Sequence, residues 1–302
     1  MKEVAILLST YNGEKYLNEQ IESILSQKKV EVHIYIRDDG SKDKTKELLR
    51  ELEKKSNIDV FYGENIGVIN SFFSLVKQVN DNYEYYAFCD QDDYWKNNKL
   101  FRAISKIQNE RNAALYHSDA ILVNQDLVSL NVKFKKEKEV AKDFPQSIVF
   151  SNCTGCTVVI NRKLLKYLKQ YTPAQVLMHD DWICKLCFGL GGIVYYDSSP
   201  TILYRQHSQN VIGGVKHGFW CTWKRRLKEV KENPNMRSIV IKEIYDNYLD
   251  VIPKKNLKYF NLIINYRKSL KNKFRLLMSK EIKGLSFEKQ LMFKCAVILS
   301  KF

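Results

Sequence analysis

Tyr83-Glu84-Tyr85-Tyr86-Ala87-Phe88-Cys89-Asp90-Gln91-Asp92-Asp93 runs from an aromatic, apolar stretch directly into three carboxylates. Residues 83–89 have the make-up of a buried strand, which places the acidic tetrad at its C-terminal tip. Carboxylates so crowded repel one another and are expensive to desolvate unless a positive charge lies among them. Mg²⁺ or Mn²⁺, the usual partner of hard oxygen ligands, commonly bridges such residues to a substrate's phosphates. The stretch points to an enzyme that handles a nucleotide diphosphate, with a solvated acidic turn as the plainer alternative.

Outward from the tetrad, residues 4–10, 32–37, 59–62 and 113–123 are predicted as further strands. Helices are predicted over 14–27, 43–52, 68–79 and 97–109, the first with Leu17, Ile21, Ile24 and Leu25 at helical spacing. Strands and helices in alternation build a largely parallel sheet covered on both faces. Ligands of such sheets bind at the carboxyl ends of the strands. Thr10-Tyr11-Asn12, Asp38-Asp39 and the tetrad each follow a strand end, so they are expected to converge on one edge. Further on, residues 124–144 are polar and lysine-rich, a loop or hairpin over that edge. An apolar run at 157–160 and a short helix near 162–169 come next. His179-Asp180-Asp181-Trp182 opens another helix, and two short strands at 193–196 and 201–204 lead into Arg205-Gln206-His207.

The 302 residues, 45% of them hydrophobic, suffice for one large α/β core with an appendage. No signal-peptide pattern opens the chain, and no stretch nears roughly 18 uninterrupted apolar residues, so no membrane span is expected. Seven cysteines without regular spacing suit a reducing cytosol, and the Cys184/Cys187 pair is explained by helix packing. The net charge of +15 is unevenly spread: residues 216–302 carry 21 Lys+Arg against 7 Asp+Glu, residues 1–215 carry 28 against 27. That split predicts a boundary near residue 215 and an acidic partner for the tail. In the tail, Trp220, Trp223 and Leu227 share helical spacing among Lys224, Arg225, Arg226 and Lys228, and 259–277 again mixes apolar with basic residues. Such helices suit an anionic membrane surface, the plainer reading being helices packed on the first domain.

In order, Ser9-Thr10-Tyr11-Asn12, Arg37-Asp38-Asp39-Gly40-Ser41-Lys42-Asp43, Asn65-Ile66-Gly67 and Asp90-Gln91-Asp92-Asp93 resemble motifs of family 2 glycosyltransferases. His179-Asp180-Asp181-Trp182 and Tyr204-Arg205-Gln206-His207 continue the series, which is most similar to bacterial rhamnosyltransferase-like enzymes of surface polysaccharide synthesis. The resemblance covers residues 4–215. It implies an α/β, GT-A fold with a Rossmann-like, mostly parallel sheet over residues 1–215, to which the charge split adds a basic helical appendage, expected as a membrane-association module, over 216–302. It further implies an inverting, metal-dependent transferase that uses a UDP- or dTDP-sugar and a saccharide acceptor, lipid-linked, in capsule or related synthesis. The expected location is cytoplasmic, peripheral on the inner face of the cell membrane.

By the same resemblance, Asp39 accepts the imide N–H of uracil or thymine, although the residues alone also allow an Asp-Gly turn. Thr10, Tyr11 and Asn12 hold the nucleoside, with Tyr11 stacked on the base or packed inward. Asn65 and Gly67 lie under the ribose, Gly67 permitting close backbone approach. Asp92 binds Mn²⁺ or Mg²⁺, Asp90 contacts the ribose or sugar, and Asp93 holds the donor sugar or supports Asp92. His207 completes the metal site, and Arg205 neutralises phosphate or makes a structural ion pair. Asp180 is the general base and Asp181 the alternative, while helix capping by both is the plain reading.

A nucleic-acid-binding protein would explain the basic tail but not the acidic strand ends. A sugar nucleotidyltransferase would carry a Gly-rich, cationic loop near the first strand, and a dehydrogenase a GxGxxG after it; the chain has neither.

Overall fold

Residues 4–8 are entirely buried, as a strand covered on both faces requires, in the computed structural model, which describes residues 1–134, 140–151, 153–207 and 233–302. They form the middle of β1 (Lys2–Thr10), flanked in parallel by β2 (Val30–Asp38) and β4 (Tyr85–Cys89), with β3 (Ile58–Tyr62) parallel to β2. Parallel neighbours need crossovers, supplied by α1 (Leu17–Leu25), α2 (Thr45–Leu52) and α3 (Gly67–Gln78). After β5 (Tyr94–Trp95) and α4 (Lys99–Ile107), β6 (Ala114–Val123) turns back as a hairpin into β7 (Ser129–Lys133). Then come α5 (Phe144–Val149), β8 (Val159–Asn161), α6 (Arg162–Gln170), α7 (His179–Gly189) and β9 (Ile193–Arg205). The sheet runs β3-β2-β1-β4-β8-β6-β9-β5, with β7 beside β6. It is mixed rather than wholly parallel, because β8 lies antiparallel to both β4 and β6.

The predicted elements are present with ends moved by a few residues, and three features differ. The tetrad leads straight into β5, whose two residues pair antiparallel with β9 and are too few to show periodicity. Residues 193–205 form one strand, not two. It follows β6 from Ala114↔Ile193 to Ser118↔Asp197, bulges, and resumes at Ala120↔Ile202; Pro200, which lacks an N–H to donate, sits in the bulge. The third difference lies in the tail, which forms α8 (Met236–Tyr248), α9 (Lys254–Asn265), α10 (Leu270–Leu277) and α11 (Phe287–Ile298). The stretch 259–277 is broken because the Ser269 hydroxyl accepts the Asn272 N–H and caps a new helix.

The chain divides into two compact units. Met1–Lys135, Cys153–Thr172 and Ile193–Gly213 make the first and hold the sheet; Lys136–Asn152, Pro173–Gly192 and Gly214–Phe302 make the second. In the second, Phe144 of α5 stacks on Phe260 of α9 with ring centroids 4.6 Å apart. The Asn256 side chain donates to the carbonyls of Phe188 (3.0 Å) and Gly189 (2.9 Å), satisfying orphan acceptors at the end of α7. Cys184 and Cys187 are buried along that helix as packing residues. Trp220, Trp223, Leu227 and their basic neighbours lie outside the described residues. Among the described residues, no helix is long and apolar enough to cross a membrane.

Candidate active site

Thr10 at the end of β1 stands opposite Asp38 at the end of β2, and Cys89 at the end of β4 stands opposite Leu8. The loops after these three strands therefore leave the same edge of the first unit, as expected. Gln91 ties two of them together. Its Oε1 accepts from the Thr10 hydroxyl (2.6 Å) and the Tyr11 N–H (2.8 Å), and its Nε2 donates to the Tyr11 carbonyl (3.1 Å). Gly13 makes room: a Cβ there would lie 2.4 Å from Gln91 Oε1. Asn12 joins the third loop, donating its N–H to Ser41 Oγ and accepting the Lys42 N–H at its Oδ1, both at 2.9 Å. Thr10 and Asn12 are thus committed to the floor of the site. Tyr11 is 41% exposed, so its ring is open to stacking and not packed inward.

Asp39 is buried and heavily engaged. The Arg37 guanidinium donates to it, as do the N–H groups of Ile66 and Gly67 at 2.9 Å each. The carboxylate thereby anchors the first turn of α3, where orphan donors and the helix dipole both favour an anion. Gly67 has φ +80°, and a Cβ on it would meet nothing within 4 Å, so within this chain it is needed for backbone conformation and not for close packing. Asn65 is exposed on the same loop. Replacing Asp39 with Ala strips Arg37 of its buried partner, and breaking such a pair costs about 3–5 kcal/mol. Denaturant unfolding of D39A should show a loss of that order, whatever happens to donor binding.

At the tetrad, Asp92 Oδ2 lies 2.8 Å from His207 Nε2, with both side chains largely buried. β9 delivers the histidine: its last residue, Arg205, donates its N–H to Asp93 Oδ1 (3.1 Å). The Tyr16 ring stacks on His207 with centroids 5.3 Å apart, and the Arg205 guanidinium lies 4.4 Å from the same ring. Arg205 is 2% exposed, and its guanidinium donates to Glu19, to the Asp92 carbonyl (2.9 Å) and to the Gln125 carbonyl. The structure corrects the phosphate-neutralising expectation for this residue: it braces the tetrad loop from behind. Asp93 is fully buried, which leaves the supporting one of its two expected roles, and burial together with the Asp92 and Asp90 charges pushes its carboxyl well above the usual carboxylate range.

Two donor sets can be tested for a divalent cation. Asp90, Asp93 and Cys156 offer atoms within 4.8 Å of one another. Burial raises both the Asp93 carboxyl and the Cys156 thiol, and the thiol is a soft ligand that suits a hard cation poorly. The Asp92–His207 pair fits better. Adjacent ligands of an octahedral ion with bonds of about 2.1 Å lie about 3 Å apart, close to the 2.8 Å seen. Asp90, half-buried two residues earlier on the same loop, is a further carboxylate of the tetrad.

In the second unit, His179 and Asp180 open α7. Burial lowers the His179 imidazole to about 3, so it is neutral. Asp180 Oδ1 accepts the Asp181 N–H at 2.7 Å. Both oxygens of Asp181 are engaged, Oδ1 by the Ser151 hydroxyl (2.8 Å) and Oδ2 by the buried ammonium of Lys185. Gln91, Gly13, Tyr16, Ser151 and Lys185 had no assigned role in the sequence. Only Lys185, four residues after Asp181 on a predicted helix, carried a readable signal.

The sequence model of Glycosyl transferase family 2 matches residues 5–168. The chain is 32% identical over 229 residues to the dTDP-rhamnosyl transferase RfbG of Shigella flexneri, covering 72% of this chain and 77% of that protein. It is 25% identical over 166 residues to the UDP-Glc:alpha-D-GlcNAc-diphosphoundecaprenol beta-1,3-glucosyltransferase WfaP of Escherichia coli, covering 55% of this chain and 63% of the relative. Among solved structures, S. aureus TarS 1-349 in complex with UDP-GlcNAc matches with a TM-score of 0.60 at 18% identity, over 93% of this chain and 77% of that one. That likeness shows the fold, GT-A.

Proposed function

The chain belongs to glycosyl transferase family 2, and on that premise we propose that it moves one sugar from a nucleotide-diphospho-sugar to a hydroxyl of a saccharide acceptor with inversion. The observation that carries this reading is the Asp92–His207 pair at 2.8 Å on the edge where three strand-end loops meet. RfbG is named for a dTDP-rhamnose donor and WfaP for a lipid diphosphate acceptor, so we take a dTDP- or UDP-sugar and a lipid-linked saccharide of a surface polysaccharide as substrates. The base of the nucleotide stacks on Tyr11, and a second lone pair on Asp39 receives its imide N–H.

Asp180 holds the acceptor hydroxyl and removes its proton as the oxygen attacks the anomeric carbon. The bond from that carbon to the diphosphate breaks as the new glycosidic bond forms, so no covalent enzyme intermediate arises. Asp92 and His207 would hold a Mn²⁺ or Mg²⁺, which would supply Lewis-acid stabilisation of the charge on the departing nucleoside diphosphate. Asp181, pinned by Ser151 and Lys185, would have to break an ion pair to act as base, which favours its neighbour. Asp93 and Arg205 keep the loop bearing Asp92 in place. Residues 216–302 are read as a basic module that holds the enzyme on the inner face of the membrane.

Thermal unfolding across a panel of dTDP-, UDP- and GDP-sugars, with and without Mn²⁺, tests the reading. One donor should stabilise the protein by about 2.7 kcal/mol at a hundred times its Kd, and more with the metal than without. A panel in which no donor shifts the transition would refute it.

A further inference from the structure

The last helices of the second unit leave large apolar side chains in the open. Leu270 and Phe274 of α10 and Met278 just beyond it recur every fourth residue and are 85%, 63% and 63% exposed. On α11, Phe287 is 86% and Ile298 57% exposed. Spacing of four residues gathers the first set on one helix face, and Phe287 and Ile298, eleven residues or about three turns apart, also share a face. Apolar side chains held in water are unfavourable, and a contiguous group of them marks a surface made to be covered.

The flanking charge selects the cover. Lys268, Lys271 and Arg275 interleave with the α10 residues, and none of the three has an ion-pair partner among the described residues. Glu281 is already paired with Lys258 and Tyr259, and Glu288 follows Phe287 on α11. Between α9 and α10 lies a cleft of about 710 Å³, lined by Lys258, Asn265, Lys268, Asn272, Phe274 and Arg275. The cations Lys268 and Arg275, with Phe274 beside Arg275 on α10, match an anionic headgroup and its first methylenes. A nucleic acid would use the cations but give no reason for exposed Leu270 and Phe287.

We propose that the α10–α11 face docks on a bilayer of anionic phospholipid, with headgroups seated in the α9–α10 cleft and Leu270, Phe274, Met278 and Phe287 entering the acyl boundary. This deepens the membrane placement given under the proposed function, and rests on it only in naming the same partner. Flotation of the full chain with vesicles tests it, phosphatidylcholine alone against phosphatidylcholine with phosphatidylglycerol. The expected result is binding to the mixed vesicles only, falling as salt screens the headgroups. L270S/F274S/F287S and, separately, K268E/R275E should each lower partitioning at least tenfold. Both should keep the donor-dependent thermal shift, which shows that the first unit is intact. Equal binding to both vesicles, no binding to either, or wild-type partitioning by the triple variant would overturn the proposal. So would a change in oligomeric state of the triple variant with vesicle binding preserved, since a second copy would then be the cover. Vesicle binding by a protein that no nucleotide sugar stabilises would leave docking standing and remove the catalytic reading instead.

Discussion

Asp92→Ala should lower kcat/KM by about 10³, equivalent to about 4 kcal/mol of lost transition-state stabilisation. The same variant should lose the metal-dependent part of the donor's thermal shift while keeping the part due to the base and ribose. The backbone around it predicts a folded variant. Arg205 Nε donates to the Asp92 carbonyl, not the side chain, and Gln91 holds Thr10 and Tyr11 independently. His207→Ala should fall between wild type and D92A, because Asp92 remains as the stronger, anionic ligand. A D92A protein that still gains stability and rate from Mn²⁺ would place the cation elsewhere, and Asp90 would be the first residue to examine.

The convergence of the acidic and polar loops was legible because it depends on local pattern. A buried run such as residues 4–8 can hardly be anything but a central strand, and the loop leaving such a strand must emerge at its tip. Direction was harder. Asp92 lies in the turn after β4 and Asp93 leads into β5, so no local periodicity says which of the two points inward. Which one is fixed by the pairing of β5 with β9, where Tyr94 meets Leu203, a contact more than a hundred residues long in sequence. The same pairing brings Arg205 behind the loop, so its structural role was invisible until the strand had a partner. Arg37 and Asp39 were a nearer miss. Two residues apart at a strand end, they share a face, and the ion pair they form was readable. The break at Ser269 was hidden for a different reason: a serine among lysines and leucines changes no periodicity, and only its bond to the Asn272 N–H starts the new helix.

Asp180→Asn should cut kcat by about 10² to 10⁴, the usual contribution of a positioned general base, while the donor-induced thermal shift stays at the wild-type value. The amide keeps an oxygen for the Asp181 N–H that Asp180 now accepts, so the helix start survives. Asp181→Asn should behave in the opposite sense. It removes the carboxylate that balances Lys185, whose ammonium is 1% exposed, and stranding such a charge costs about 3–5 kcal/mol. Its signature is therefore reduced stability in denaturant, with kcat per folded molecule falling far less. A glutamate at position 181 should recover part of that stability, since Lys185 regains an anion, whereas a glutamate at 180 should not recover rate if the base must sit within hydrogen-bond reach of the acceptor. Should D180N keep kcat within about threefold of wild type while D181N loses it, the base is Asp181, and the Lys185 ion pair must open in each catalytic cycle.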